Sequence, residues 1–278
     1  MSTRDFLMNG AAIFAVMALV ALVELVVPLA APTPLQRGRR TANLGLTALT
    51  LALNWTLTSA AASIALALPF QGPVPMTRLG MPFAVQFAVG IVVLDFSFGY
   101  LAHRAMHWSP TLWRVHRVHH SDPFVDVTTS YRMHPLEVLW RFLWLIVPIW
   151  ILGVPAEVVV AYRLLSAFNG ILEHANIQLW RPLEVLSLFW VTPNMHKVHH
   201  SRQAADTDSN YGNILAIHDR LFHTFTPTDR ASSVVYGLDD ADPVRATSLP
   251  GLLSMPFEVA NFGDGEATEV SAAQKISA

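Results

Sequence analysis

From Leu44 to Phe70 the chain runs for 27 residues without one charged side chain. A bilayer core about 30 Å thick is crossed by about 20 apolar residues in a helix, so this stretch spans a membrane comfortably. Two more runs of that kind flank it, Leu7 to Leu29 and Phe83 to Leu101. Only 14% of residues are charged, against roughly 25% in a soluble domain. The first run is taken as a retained anchor and not a cleaved signal. It has no basic segment ahead of it beyond Arg4, exceeds the length of a signal's apolar core and carries Glu24. Pro28, Pro32 and Pro34 end it. A net charge of −2 with no basic tract predicts no nucleic-acid partner, and the absence of cysteine leaves neither disulfides nor thiolate ligands.

Arg37, Arg39 and Arg40 come after the first run, and the positive-inside rule puts them in the cytoplasm. The third run then returns the chain to that side, so His103 and the residues beyond it are expected at the cytoplasmic face. Val138 to Leu152 and Ala156 to Ile171, hinged at Gly153-Val154-Pro155, predict a helical hairpin that dips into the bilayer and comes back with Glu173, His174 and Asn176. Ser121 to Tyr131 reads as loop. The apolar patch from Leu252 to Phe257 is expected on the membrane surface, and the chain from Gly263 onward is expected to be disordered. The fold class is therefore an all-α integral membrane protein with about four transmembrane helices and a cytoplasmic, histidine-rich metal-binding cap. Residues 1–82 form an N-terminal transmembrane hairpin, 83–225 a catalytic unit and 226–278 a tail.

The histidines carry the chemistry. HRAMH at His103 to His107 precedes HRVHH at His116 to His120, and MHKVHH returns the second pattern at His196, His199 and His200. Positions i, i+3 and i+4 share a helix face, so each motif gathers two or three imidazoles on one side. Val115-His-Arg-Val-His-His-Ser121 and Met195-His-Lys-Val-His-His-Ser201 keep their histidines in strict register, which packing alone does not require. Ser109 before Pro110 marks a helix start, so the first two motifs sit on adjacent helices. Neutral imidazole is the commonest metal ligand in proteins. Eight such groups exceed the four of a closed structural zinc site, and Arg104 stands where a zinc protease of the HExxH type needs its glutamate. They suffice for two metal ions, and a pair of irons could reduce O2 and attack an unactivated C–H bond of a lipid arriving from the bilayer.

Asp95, inside the third run, is either a partner for a ligating histidine or a hydrogen-bonder to a neighbouring helix. His134, before Pro135, reads on its own as a structural hydrogen-bonding residue, and His174 is equally a ligand or a polar residue at the interface.

HxxxH, HxxHH and HxxHH in this order resemble the fatty acid hydroxylase and sterol desaturase superfamily, from about Ala84 to Thr224. The resemblance extends to Arg132-Met133-His134-Pro135-Leu136-Glu137, His174 with Asn176, Asn210-Tyr211-Gly212 and Asp219-Arg220-Leu221-Phe222. It implies a non-haem di-iron centre that uses O2 and two electrons from a separate donor protein of ferredoxin or cytochrome b5 type. Carried over, the catalytic metal ligands are His103, His107, His116, His119, His120, His196, His199 and His200. His134 and His174 are raised to ligands, with Asp95, Arg132 and Asn210 as supporting residues. The family commonly has tryptophan before Asp219 and glycine after Phe222, where this chain has His218 and His223. Both are read as substitutions in a packing turn and not as ligands. Hydroxylation of a lipid is the leading expectation and desaturation at the same site the alternative. A non-catalytic membrane metal-handling protein is the alternative of another class.

Overall fold

The helices track the apolar runs. The computed structural model of the chain describes residues 3–31, 38–67, 73 and 75–258, and among these the secondary structure is helical, with one isolated bridge between Trp190 and Leu215. Pro32, Pro34, Arg37, Phe70 and the tail from Gly263 lie outside the described residues. Helix α1 is Thr3–Val26 and α2 is Arg39–Ala67. Helix α3, Phe83–Leu94, continues through a π-helical stretch, Asp95–Leu101, into α4, Ala102–Trp108. Helix α5, Pro110–His120, precedes α6, Pro135–Leu152, and α7, Ala156–Glu173. Among the described residues, four helical stretches are long and apolar enough to cross a membrane, Leu7–Val26, Arg39–Ile64, Phe83–Trp108 and Pro135–Leu152. The chain is an all-α membrane protein.

Small residues let these helices close. A Cβ on Gly90 of α3 would sit 2.6 Å from Val158 Cγ1 of α7, so only glycine permits this approach. Leu94, Leu145, Val158, Tyr162 and Ile214 pack into one core there. Gly153, at φ +53, ends α6 in the left-handed conformation that glycine adopts without steric cost, and α7 begins after Pro155.

Polar residues buried between the helices tie the membrane part to the cap. Arg39 is fully buried and pairs with Asp122 at 2.9 Å and with Asp126. It is therefore held inside an ion pair instead of in water. Burial pushes the Asp122 carboxyl up, but Arg39 and Arg132 prevail and hold it below its usual range. Glu24, which a position near the end of its span would let reach water, is instead 7% exposed. Its Oε1 accepts from Val127 N at 2.8 Å and Asn176 N at 2.7 Å, clamping α1 onto two distant segments. Removing one member of a buried ion pair such as Arg39–Asp122 costs about 3–5 kcal/mol.

Two expectations about the loops change. Ser121 to Tyr131 contains a 3-10 helix, Val127–Tyr131, started by a capping box on Asp126. The patch from Leu252 to Phe257 is partly core. Leu252 and Met255 bury against Ala42 and Leu46 of α2 and Val118 of α5, while Phe257 stays exposed. Helix α8 is Pro193–His199, α9 is Ala204–Thr207, α10 is Ile217–Leu221 and α11 is Leu249–Ser254.

Candidate metal centre

Both HxxHH motifs start on the same local device, a hydroxyl cap with proline after it. Ser109 Oγ accepts from Leu112 N at 3.5 Å ahead of Pro110, and Thr192 Oγ1 accepts from Met195 N at 3.3 Å ahead of Pro193. The cap satisfies an orphan N–H, and the proline sits where no N–H is needed. Thr192-Pro193 is thus the same start signal in the sequence as Ser109-Pro110.

From these helices, with α4 and the end of α7, nine imidazoles converge. They form two groups, each with ligand atoms within 4.8 Å of one another. One holds His103, His107, His116, His120 and His199, and the other holds His119, His174, His196 and His200. The division obeys a rule. In each HxxHH motif the first and last histidines, at i and i+4, serve one group, and the middle one crosses to the other. Thus α5 gives His116 and His120 to the first group and His119 to the second. The α8 motif gives His196 and His200 to the second and His199 to the first. The repeated motif is reciprocal in space.

Five of the rings are oriented from outside by their Nδ1. His103 meets Tyr211 O at 2.8 Å, His174 meets Gly170 O at 2.6 Å and His199 meets Ser209 O at 2.7 Å. A carbonyl only accepts, so these three rings carry the proton on Nδ1 and turn the Nε2 lone pair inward. His116 Nδ1 lies 3.0 Å from Glu137 Oε2 and His107 Nδ1 lies 3.3 Å from Asp208 Oδ1. This is the outer bonding that orients metal-ligating imidazoles. Inside, His174 Nε2 is 3.1 Å from His119 Nε2, 3.0 Å from His196 Nε2 and 3.2 Å from His200 Nε2. Lone pairs aimed at one another repel unless a cation sits among them. Nε2 of His107, His120 and His199 is likewise buried without a partner among the described residues. This donor set fits metal ions.

Burial keeps the rings of His119, His120, His174, His196, His199 and His200 neutral, as ligation requires. His119, His120, His196, His199 and His200 are pushed well below the usual histidine value, by burial first and neighbouring imidazoles next. Burial takes His174 down to about 4.

The remaining predicted residues fall elsewhere. His134 belongs to neither group. It caps α6, with Nδ1 accepting from Leu136 N at 3.2 Å and Nε2 meeting Leu253 O at 3.3 Å, so a ligand role for it is not supported by its position. Asp95 bonds no histidine of either group. Its carboxylate accepts from Ile214 N at 3.2 Å and Leu215 N at 2.9 Å and so fixes the loop whose Tyr211 carbonyl orients His103. Arg132 is fully buried and donates to Val118 O, Asn43 Oδ1, Ser121 Oγ and Ala246 O at 2.7–2.8 Å, pinning the end of α5. Burial pushes it down to about 10. Asn210 takes φ +54 and donates to Met195 O at 3.2 Å, tying the same loop to α8. His218 packs its ring on Phe96 and Tyr100, and His223 takes φ +56, a conformation native to the glycine common at that position.

Glu137 and Glu173, like Asp208, carry no role in the sequence reading. Glu137 is fully buried and shared between His116 and Arg141, and it closes the Arg132-to-Glu137 motif. Glu173 places Oε1 3.8 Å from His196 Nε2. Both border a cavity that also meets His103 of the first group and His119, His174 and His196 of the second.

Residues 87–224, which contain all nine converging histidines, match the fatty acid hydroxylase family. The chain belongs to that family. The fatty acid hydroxylase region is similar to ornithine lipid hydroxylase OlsE of Rhizobium tropici, at 35% identity over 157 residues covering 56% of this chain and 46% of the relative. Alkylglycerol monooxygenase of Danio rerio is 32% identical over 166 residues, 58% of this chain and 35% of its own. Methylsterol monooxygenase erg25A of Aspergillus fumigatus is 30% identical over 143 residues, 45% of this chain and 47% of its own. The chain thus spans less than half the length of these curated relatives. No solved structure matches.

Proposed function

We propose that the protein hydroxylates an unactivated C–H bond of a membrane lipid, as a non-haem di-iron oxygenase. The observation that carries this is the pairing of five and four buried imidazoles beside one shared cavity. The ligands are the nine grouped histidines, without His134. Irons bound there supply the activation of O2, with two electrons from a separate ferredoxin- or cytochrome b5-type donor, in the overall conversion of R–H, O2, two electrons and two protons to R–OH and water. The chain's own residues do the rest. Outer hydrogen bonds hold Nε2 inward, burial excludes bulk water, and the cavity receives the lipid. Residues 83–225 are the catalytic unit and 1–82 the N-terminal hairpin, while the described part of 226–278 braces α2 and α5. The histidine side faces the cytoplasm, on the positive-inside reading of the arginines after the first span.

The names of the relatives support a lipid as substrate, and the outcome at carbon is the point to test. Membrane lipids from cells carrying the wild type and from cells carrying His199→Ala are compared by mass spectrometry under labelled O2. A lipid that gains one labelled oxygen only with the wild type establishes hydroxylation. A lipid that only loses two hydrogens makes the protein a desaturase, and no difference at all removes the proposal.

A further inference from the structure

Four charged residues border the cavity beside the histidines: Glu137, Arg141, Arg163 and Glu173. Glu137 and Arg141 neutralise each other at 2.9 Å. Glu173 accepts from Asn169 Nδ2 and faces two imidazoles. Arg163, in the middle of α7, is different. Among the described residues no carboxylate lies within ion-pair distance of it, and its hydrogen bond is from Nη2 to Asn54 Oδ1 of α2 at 3.2 Å. Asn54 itself lies within the candidate span Arg39–Ile64.

A guanidinium keeps its charge under all ordinary conditions, and an ionisable side chain among membrane-spanning helices is costly and marks a functional site by default. Asn54 occupies one donor of the fork and fixes its direction. Arg163 and Asn54 both line the cavity, and the planar fork of a guanidinium matches a carboxylate or phosphate with two parallel bonds. We propose that Arg163 recognises the substrate, binding an anionic group, carboxylate or phosphate, at the polar end of the lipid whose chain lies toward the histidines. This deepens the lipid-oxygenase reading and rests on it. Arg163 is a specificity residue and takes no part in the chemistry at carbon.

The test is equilibrium binding to the purified full-length chain in neutral detergent. Three radiolabelled probes of one chain length are used: hexadecanoic acid, hexadecyl phosphate and hexadecanol. The wild type is expected to bind at least one anionic probe about tenfold or more tightly than the alcohol, and which anion prevails names the head-group chemistry. Arg163→Gln is expected to lose that preference, binding the three probes within about threefold of one another, and Arg163→Lys to recover part of it. Ala167→Trp, which fills the same cavity, is expected to abolish binding of all three probes. Preference retained in Ala167→Trp would place the anion on the outer lipid-facing surface and overturn the proposal. So would equal binding of acid, phosphate and alcohol by the wild type, or a preference unchanged in Arg163→Gln. Should the Arg163 variants fail to fold, as judged by helical circular dichroism, the wild type decides through the sign of the probe's charge. Hexadecyltrimethylammonium is expected to bind more weakly than hexadecanol, and a cation bound as tightly as the anionic probes overturns the proposal. Anion preference without oxygen transfer to any lipid would remove the oxygenase reading and leave this site standing. Oxygen transfer without preference would do the reverse.

Discussion

At the scale of single residues, the histidines separate by what their two nitrogens touch. His116 bonds Glu137 through Nδ1 and turns Nε2 to His103 at 3.0 Å, whereas both nitrogens of His134 are engaged on backbone. His116→Ala or His199→Ala is therefore expected to abolish turnover and lower bound iron, with helical content retained. His134→Ala is expected to keep its iron and to lose about 1 kcal/mol of stability, the usual cost of a lost helix cap. Iron determination and thermal melting of the three variants check this, and iron loss in His134→Ala would return that residue to the ligand set. Glu137→Gln tests the outer bond. The amide keeps the shape and removes the charge that His116 and Arg141 share. Losses at such positions are typically 10–100-fold in metal affinity, so a chelator competition should show iron released at about that much lower chelator concentration.

At the scale of elements, the third span is the one that had to be built most exactingly. Its π-helical stretch has wider i→i+5 turns, which recur at functional sites, and through it Asp95 and His103 meet the same loop. Gly99, inside that stretch, leaves room for the loop. A Cβ there would lie 2.7 Å from Asp95 Oδ1 and 3.1 Å from Asn213 Cβ. Gly99→Ala is expected to displace the Asp95 carboxylate, leaving the amides of Ile214 and Leu215 short of an acceptor at about 1–3 kcal/mol each. The readouts are a lower melting temperature and a partial loss of iron, and an unchanged melt would show that the loop yields freely. Nothing in Asp95-Phe-Ser-Phe-Gly-Tyr-Leu101 announces a π turn, since its apolar pattern fits an α-helix as well. The spans, the hairpin hinge at Gly153 and the start at Ser109-Pro110 are legible because each is a local signal in chain order. The assignment of His119 and His199 across groups is not. Both lie on the correct helix face, and which group each joins is decided only by how the rings of the two motifs meet, His119 against His200 at 4.6 Å and His120 against His199 at 4.7 Å. The buried partners of Glu24 and Arg39 are hidden for a related reason, since they lie 83 or more residues away and neither run hints at them.

At the scale of the whole molecule, burial holds six imidazoles of the cap in their neutral form, and that makes its folding depend on pH. His119, His120, His196, His199 and His200 sit well below the ordinary value of 6.5, and burial holds His174 at about 4. The unfolded chain takes up these protons as pH falls through 6.5, while the folded chain does not. The unfolded state then binds more protons, so stability rises with pH across this window and is lost on acidification. Each unit of separation between folded and unfolded values contributes roughly 1.4 kcal/mol per residue, and several residues act together. Metal-free protein is therefore expected to melt highest at and above pH 7, where Lys197, pushed down to about 7 by burial, adds a further rise, and to lose melting temperature below pH 6.5, with the raised carboxyls of Glu173 and Asp219 opposing part of that loss. Iron-loaded protein should keep its melting temperature to lower pH, because protons must first displace the metal. Thermal melts of chelator-treated and iron-loaded samples from pH 8 to pH 4.5 measure both curves. Coincident curves would mean that the nine imidazoles are not where metal is bound. A metal-free curve flat to pH 5 would mean that the rings reach water more readily than their burial allows.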